Sequence, residues 1–341
     1  MTDCPLPYGD YDHVVIGHGG GGTLADELLR SVFLPAFESS VLAALEDAAV
    51  VPAGGERIAL TTDAFVVRPS FFPGGDVGRL AVSGTVNDLA CVGARPLYLT
   101  AAFILEEGLL LSDLRRVAQS MRAAAEEAGV EIVAGDTKVV ERGSGDGVYI
   151  TTTGVGAVPQ GRDISVARAR PGDAVLLSGS IADHGMAVLS VRVGLELEGD
   201  LSSDCAPLAG LAETLAATEV HVLRDPTRGG VAGVLHEIAR ASGVGIQLRE
   251  DAFMVRPAVR AACELLGFDP LHVANEGKLV VIVPEAAAKS ALAALRSHPL
   301  GREAARVGTV TEQLGAVTLQ TRLGTTRRLT QLSGEQLPRI C

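Results

Sequence analysis

Aromatic side chains are scarce in this sequence of 341 residues, which has no tryptophan and only 4% aromatic residues in total. Hydrophobic residues nevertheless make up 47% of the chain. The core must therefore be built mainly from alanine, valine, leucine and isoleucine. A chain of this length fits two domains of ordinary size.

Basic charge is also in deficit, because 29 lysines and arginines face 41 aspartates and glutamates, for a formal net charge of -12. Such a balance repels phosphate backbones and anionic membranes, so we expect no nucleic-acid partner and no membrane partner. The balance does not exclude a nucleotide, because carboxylates can hold Mg²⁺ and the metal meets the phosphates.

Targeting signals, long apolar runs and metal-binding cysteine motifs are missing as well. The amino end has no basic region followed by an apolar core, and no apolar run approaches about 18 residues. The five cysteines are odd in number, and no pair has CxxC spacing, which argues against a disulfide framework or a zinc knuckle. Cys91 and Cys263 lie in apolar runs and are predicted to be buried. We therefore predict a cytoplasmic protein with reduced thiols.

Strand-like and helix-like segments alternate along the chain, which predicts an α/β (α+β) fold in two domains, 1–160 and 161–325. The clearest helix is "LSDLRRVAQSMRAAAEEAGV", with Ser112 placed to cap it and Gly129 to end it. The stretch "GAVTLQTRLGTTRRLTQL" is compatible with a final hairpin. The last segment, 326–341, lacks periodicity near its end and is predicted to be a flexible tail that carries Cys341.

A polyglycine segment, "GHGGGG", follows the first strand-like run. Consecutive glycines allow backbone amides to approach and wrap an anion. The spacing matches neither a Walker loop nor a dinucleotide-binding fingerprint, and a plain turn would have the same composition. The candidate phosphate-binding residues are His18, Gly19, Gly20, Gly21 and Gly22.

Four aspartates stand at the ends of apolar strands or the starts of helices: Asp63, Asp88, Asp136 and Asp225. Each alone is compatible with a cap or a turn. Several converging carboxylates would be unfavourable without a cation, and Mg²⁺ removes that difficulty. Together with the glycine segment they predict a metal–nucleotide site.

Two further charged residues are candidates for chemistry. Lys138 follows Asp136 by two positions, and Glu276 in "ANEGKLVVIV" precedes an apolar strand. The alternative for each is an ordinary surface ion pair. His184, in "ADHGM", is predicted at the start of a helix.

Several motifs together closely resemble the HypE family of hydrogenase maturation factors, in the superfamily of aminoimidazole ribonucleotide synthetase, selenophosphate synthetase and thiamine-monophosphate kinase. The matching segments cover nearly the whole chain. They are "GHGGGG", "FFPGGDVGRLAVSGTVNDLA", "FILEEGL", "GDTKVVERG", "ADHGM", "DPTRGGV", "ANEGKLV", "SHPLGREAA" and the terminal "PRIC". The terminal motif is the most specific, because the rest of the superfamily lacks a cysteine arm.

The resemblance implies a two-domain PurM-like fold, with an N-terminal domain that forms a barrel-like homodimer core and a C-terminal α/β sandwich beside it. It implies ATP and Mg²⁺ as cofactors, and it adds Thr137 to the ATP-binding residues. It also implies that Cys341 accepts a carbamoyl group from the carbamoyltransferase HypF and that ATP drives its dehydration to a thiocyanate. The cyanide would pass to iron on the HypC–HypD scaffold, for a [NiFe]-hydrogenase.

The chemistry of that reaction suits the candidate residues. Phosphorylation turns an amide oxygen into a good leaving group, and the nitrogen must then lose protons. We favour Glu276 as the base and Lys138 as a stabiliser of charge. Two rival functions are a small-molecule kinase, which would not need "PRIC", and a non-catalytic thiol carrier, which would not need four acids.

Overall fold

The computed structural model of the chain describes residues 14–15, 18, 22–195, 199–332, 337 and 339–341. Within these ranges the chain folds around two sheets, one of five strands and one of seven. The predicted phosphate-binding residues Gly19, Gly20 and Gly21 lie outside the described residues. No helix among the described residues is both long and apolar enough to cross a membrane.

The first half contains a five-stranded sheet of order β1-β2-β7-β5-β6 and a small hairpin of β3 and β4. Its strands are β1 (Ala49–Ala53), β2 (Glu56–Phe65), β3 (Phe71–Phe72), β4 (Gly75–Asp76), β5 (Arg95–Glu106), β6 (Glu131–Val140) and β7 (Val148–Ala157). Its helical segments are α1 (Thr23–Leu28), a π-helical turn (Leu29–Phe33), α2 (Leu34–Phe37), α3 (Val77–Cys91) and α4 (Leu111–Ala128).

Helix α3 is the central helix of this half and is buried on nearly all sides. Its small residues permit this position, since a Cβ added at Gly84 would lie 3.0 Å from the ring of Phe65. The side chain of Asp76 caps the helix by accepting from the amides of Gly78 and Arg79. The small residues of α3 therefore let neighbouring elements pack closely around it.

Helix α4 lies against α3 and is amphipathic, with Val117, Met121, Ala124 and Ala125 buried. It ends at Gly129 in the left-handed conformation, as predicted. The prediction of a Ser112 cap is wrong: the capping position is Leu110, which has no side-chain hydrogen bond, and Ser112 lies within the first turn.

The second half contains the seven-stranded sheet, of order β14-β13-β10-β12-β8-β11-β9. Its strands are β8 (Ala174–Leu177), β9 (Val222–Arg224), β10 (Gly245–Arg249), β11 (Val280–Val283), β12 (Ala305–Thr311), β13 (Val317–Gln320) and β14 (Thr326–Arg328). Its helices are α5 (Asp183–Val193), α6 (Ala209–Glu213), α7 (Gly230–Ser242), α8 (Pro257–Leu266) and α9 (Ala288–Ser297). Every residue of β8 and β11 is buried, as expected for strands covered on both faces.

The final hairpin predicted from the sequence is present, because β13 and β14 pair antiparallel. Residues 326–328 therefore belong to the second sheet, although the sequence placed them in the tail. Leu329, the next residue, is buried in the core of this half.

The two halves meet at the end of α3. The amide nitrogen of Asn87 donates to the carbonyl of Ala206 at 3.2 Å, and its oxygen accepts from the amide of Leu208 at 2.7 Å. Asn87 is fully buried, so both contacts replace lost hydration. This junction fixes the next residue, Asp88, between the two sheets.

Strand β6 is an edge strand, paired only to β5 within the described chain. Nearly all of its residues are exposed, including the apolar Val133 and Val139. A long exposed edge of this kind is usually covered by another element or another chain.

Candidate functional site

Three of the four predicted aspartates come together at the junction of the halves. Asp63 lies on β2, Asp88 on α3, and Asp225 directly after β9. Two threonine hydroxyls orient the first pair: Thr85 donates to Asp63 at 3.1 Å, and Thr61 donates to Asp88 at 2.8 Å.

The carboxyl groups in this cluster disfavour one another's ionisation. Burial raises the pKa of Asp88 well above its usual value, and the charges of Asp63 and Asp225 add to the effect. Burial also raises the pKa of Asp225, to about 6, despite the nearby Arg224 guanidinium. Burial likewise raises the pKa of Asp63. A set of buried carboxylates that repel one another is the arrangement that a bound cation stabilises.

A fourth aspartate of this cluster, Asp47, was missed by the sequence analysis. It forms an ion pair with Arg224, and its carboxylate, the Asp225 carboxylate and the Cys91 thiol have ligand atoms within 4.8 Å of one another. Burial raises its pKa well above the usual value. Its local sequence, "EDAAVV", offers little signal, because an acid shortly before a strand is common.

Cys91 is buried, as predicted, but it is not only a small hydrophobe. Its thiol lies 3.8 Å from a carboxylate oxygen of Asp225, within hydrogen-bonding range for sulfur. Burial raises the pKa of this thiol well above its usual value, which keeps it protonated as a donor.

Glu276 is buried beside the cluster, with 2% of its surface exposed. Burial raises its pKa well above the usual value, and the charge of Asp225 is the next cause. Among the described residues, its Oε1 atom has no hydrogen-bond partner. A buried polar atom left without a partner is unfavourable unless a ligand completes it.

The turn that carries Glu276 is anchored by a different acid, Asp204. Its carboxylate accepts from the amides of Glu276 and Gly277 at 3.2 and 3.3 Å, and it pairs with Lys278 at 3.0 Å. A Cβ at Gly277 would lie 1.8 Å from the carbonyl oxygen of Asp204, so the turn requires glycine. The alternative of a surface ion pair at Glu276 does not describe this buried carboxyl, because Asp204 and Lys278 anchor the turn.

The donor set at the junction fits Mg²⁺. Asp47, Asp63, Asp88 and Asp225 offer hard carboxylate oxygens, which this ion prefers. Burial first, and then the negative charge of the neighbouring acids, raises the pKa of Asp47, Asp88 and Asp225. A divalent cation would compensate this negative charge.

A cavity of about 1290 Å³ adjoins the cluster. Asp47 and Thr61 line its wall together with Gly22, the described end of the glycine segment. This volume exceeds the range of about 300 to 1,000 Å³ that is usual for small-ligand sites, so the cavity can hold a nucleoside triphosphate. His18, the other described residue of that segment, is half-buried and accepts a hydrogen bond from the amide of Val15 through Nδ1.

The remaining predicted residues, Asp136, Thr137 and Lys138, lie on edge strand β6, away from the cluster. Asp136 pairs with Lys138 at 2.6 Å and accepts from the amide of Thr137 at 2.8 Å. Strand β6 is three strands from β2, so Asp136 is about 14 Å from the row of Asp63. Within one chain these residues do not join the other acids, and their assignment to the site stays a prediction.

The end of the tail, which we predicted to be flexible, is docked at the junction. The amide of Val66 donates to the carbonyl of Cys341 at 3.3 Å, and the amide of Arg68 donates to that of Arg339 at 3.1 Å. This register adds residues 339–341 as a short antiparallel segment beyond the end of β2. Ile340 is 2% exposed and packs in the core.

Arg339 adopts the left-handed conformation, with a φ of 60°. Its side chain forms an ion pair with Asp146, and its carbonyl accepts from the guanidinium of Arg192 at 2.6 Å. Docking therefore places the main chain of Cys341 beside the end of the strand that carries Asp63, about three residues or 10 Å along it.

Comparison with known proteins identifies the family of this chain. Residues 45–158 match the family of AIR synthase related proteins in its N-terminal domain, and residues 170–319 match its C-terminal domain. The chain is 57% identical to the carbamoyl dehydratase HypE of Cupriavidus necator, over 96% of this chain and 94% of that protein.

Two solved structures give the same result. One is the hydrogenase maturation protein HypE in complex with ATP, at 49% identity and a TM-score of 0.82, covering 96% of this chain and 100% of that one. The other is a HypE–HypF complex, at 50% identity and a TM-score of 0.86, covering 89% of this chain and 99% of the other. With its two sheets, its junction of acids and its docked cysteine arm, the chain belongs to the HypE family of carbamoyl dehydratases, within the AIR synthase related proteins.

Proposed function

We propose that the protein dehydrates an S-carbamoyl group on its own Cys341 to an S-cyano group, with conversion of ATP to ADP and phosphate. The observation that carries the proposal is the main-chain contact between Cys341 and Val66, which brings Cys341 to the end of the strand that bears Asp63. We propose that a carbamoyl group on its thiol enters the site formed by the acids of the junction.

The carbamoyl oxygen attacks the γ-phosphorus of ATP, and the bond from that phosphorus to the ADP oxygen breaks. The carbon–oxygen bond then breaks with phosphate as leaving group, and the nitrogen loses two protons to form the carbon–nitrogen triple bond. Asp47, Asp63, Asp88 and Asp225 would hold Mg²⁺, which neutralises phosphate charge when bound. The glycine segment and the adjoining cavity would hold the rest of the nucleotide.

Glu276 is the proposed base for the nitrogen protons. Burial raises its pKa, and part of the rise comes from the charges of Asp225 and Asp63. A cation bound to those two carboxylates would lower the pKa of Glu276 toward the range in which a general base is effective. Occupation of the metal site would thereby prepare the base.

The protein is proposed to act as a homodimer through strand β6. The exposed edge of β6, with Val133 and Val139 beside it, is a surface on which a second sheet can pair. In such a pair, Asp136, Thr137 and Lys138 of one copy would complete the acidic cluster of the other. This arrangement accounts for their distance from the cluster within one chain.

The proposed partners follow from the two reactions of the thiol. A related HypE is found in complex with HypF, and we propose that a HypF carbamoyltransferase loads Cys341 of this protein. After dehydration, the cyano group would pass to iron on a HypC–HypD complex. The protein would carry out these steps in the cytoplasm.

The reaction is tested by the intact mass of the C-terminal peptide after incubation with a carbamoyl donor system and ATP. We expect a carbamoyl adduct that then loses the mass of one water. Cys341→Ser is the matched control and should show neither adduct. ATP consumption with a small-molecule acceptor in the Cys341→Ser variant would instead favour a kinase of the same superfamily.

The dimer is tested by mixing two inactive variants, Lys138→Ala and Glu276→Gln. If each site uses Lys138 from one copy and Glu276 from the other, a mixed dimer contains one intact site. Random exchange should restore about a quarter of the wild-type activity. A mixture as inactive as its components would contradict the shared site.

A further inference from the structure

His184 is the second residue of α5. It is completely buried where the tail meets both halves of the molecule. The ring of Phe72 meets it edge to face, with centroids 5.4 Å apart and an interplanar angle of 88°. Nδ1 of the imidazole lies 2.8 Å from the hydroxyl of Ser203, whose own amide donates to the carbonyl of Pro73 at 2.8 Å. The imidazole is therefore held in place from both halves.

The hydrogen bonds of His184 define its tautomer. Nε2 lies 2.8 Å from the carbonyl oxygen of Ile340, which can only accept, so Nε2 carries the proton. Burial lowers the pKa of His184, which favours the neutral ring, and Nδ1 then accepts from the Ser203 hydroxyl. Ser203 in turn accepts from the amide of Cys205 at 3.0 Å, which leaves its proton for Nδ1.

Four residues outside the C-terminal arm (residues 337 and 339–341) hold it through hydrogen bonds of one kind. Val66, Arg68, Arg192 and His184 all donate to main-chain carbonyls of residues 339–341, and none of these contacts involves the thiol. Side-chain recognition comes from the ion pair of Arg339 and from two apolar residues of the arm.

Space for those apolar residues is provided by the residue after His184. A Cβ added at Gly185 would lie 2.4 Å from Val273 and 3.2 Å from Leu337 of the arm. The segment "DHG" therefore supplies both a hydrogen-bond donor and room for the arm.

We infer that His184 is a positioning residue that holds the C-terminal arm in the junction through the main-chain carbonyl of Ile340, whatever group the neighbouring thiol carries. The inference rests on the proposed function only in that Cys341 bears the reacting group. Docking itself can be measured without any reaction.

The test measures how fast trypsin cleaves the bond after Arg339 in the full-length protein, followed by mass. In the docked arm the Arg339 carbonyl is bonded to Arg68 and Arg192, so only the undocked arm can be cut. When docking is fast, the cleavage rate follows the undocked fraction. We expect His184→Ala to raise the initial rate about tenfold, the usual effect of losing one buried hydrogen bond.

Two matched variants distinguish the two sides of the ring. His184→Gln places an amide nitrogen near the position of Nε2 and should keep the rate within about twofold of wild type. His184→Asn reaches only the Ser203 side and should behave as alanine does. If asparagine restores protection and glutamine does not, or if all three variants are cut at the wild-type rate, the inference is wrong.

If His184→Ala does not fold, the comparison of His184→Asn with His184→Gln still tests the inference. Arg192→Gln, at a half-buried position, serves as a positive control that loosens the arm without touching the imidazole. In single-turnover dehydration of pre-carbamoylated protein the rate follows the docked fraction, so His184→Asn should lower it only in proportion to the docked fraction that proteolysis shows to be lost, with the ATP concentration for half-maximal rate unchanged. If the His184 variants are cleaved faster but the wild type shows no dehydration, the docking role of His184 stands and the proposed function is wrong.

Discussion

The two groups of predicted site residues lie in opposite surroundings. Asp63, Asp88 and Asp225 are packed into the junction between the sheets, where burial raises the pKa of each carboxyl. Asp136 and Lys138 form a solvent-exposed pair on an open strand, with side chains 65% and 70% exposed. The buried carboxyls of the first group lower the free energy of unfolding until a ligand binds. The exposed pair of the second group changes it very little.

This contrast separates effects on function from effects on stability. Substitutions in the junction should change both function and stability, because the charges there are buried together. Residues of the edge strand should change function only, because an exposed ion pair contributes about 0 to 1 kcal/mol to the free energy of unfolding.

The largest expected effect is on the dehydration step. Glu276→Gln should bind Mg-ATP and accept the carbamoyl group, yet convert it about 10²- to 10⁴-fold more slowly, because an amide cannot take the proton. Single-turnover conversion of pre-carbamoylated protein, followed by mass, measures this rate. Conversion at the wild-type rate would make Glu276 a structural residue.

A comparable loss should follow from removing one carboxylate of each group. Asp88→Asn and Asp136→Asn should each reduce Mg²⁺-dependent ATP hydrolysis about 10³-fold, because each loses a charge opposite the metal and phosphates. Calorimetric titration with Mg-ATP is the check. Wild-type binding by either variant would exclude that residue from the site.

The next effect is a pH dependence of stability that only the junction should produce. Asp225 ionises near pH 3.8 when unfolded and near pH 6 when folded, so its contribution to stability is complete below about pH 3.8 and lost as the pH rises to about 6. The loss amounts to about 3 kcal/mol. In a chelating buffer, Asp225→Asn should therefore lose less stability than the wild type over this range.

Chemical denaturation at several pH values provides the measurement. Addition of Mg²⁺ to the wild type should restore stability above pH 6, because the ion binds the ionised form. Parallel pH profiles for the wild type and Asp225→Asn would mean that the carboxyl is not perturbed by the junction.

The smallest effect is expected at the edge strand. Lys138→Ala should change the free energy of unfolding by less than about 0.5 kcal/mol, the usual range for exposed positions. Under conditions that keep the chain monomeric, urea denaturation should give nearly the same midpoint as the wild type. A destabilisation of several kcal/mol would show that the exposed ion pair stabilises the fold of the single chain.

The elements of the fold were predictable where local chemistry decides them. The small residues of "GRLAVSGTVNDLAC" suit only a closely packed helix, and Gly129 supplies the left-handed residue that ends α4. Ser112 was a misleading signal, since a serine beside a helix start does not fix which residue is the cap. The acids at strand ends were recognised because an ionisable group after an apolar run is unusual.

What the sequence could not provide is contact over long separations. Nothing near Glu276 indicates that Asp204, 72 positions earlier, anchors its turn. Asp47 was missed because "EDAAVV" is an ordinary start for a strand until Arg224 and Asp225 are seen beside it. The docking of the tail depends on Val66 and His184, and a short segment without periodicity carries no local trace of such partners.

The left-handed backbone at Arg339 has a consequence for the docking equilibrium of the arm. A residue with a side chain is less stable in this conformation by roughly 1 to 2 kcal/mol, and the docked arm retains that strain. The strain lowers the equilibrium constant for docking about five- to thirtyfold relative to an unstrained segment with the same contacts. In the proposed function the cysteine is loaded by one protein and unloaded by another, so it has to leave the junction, and the strain at Arg339 favours the undocked arm.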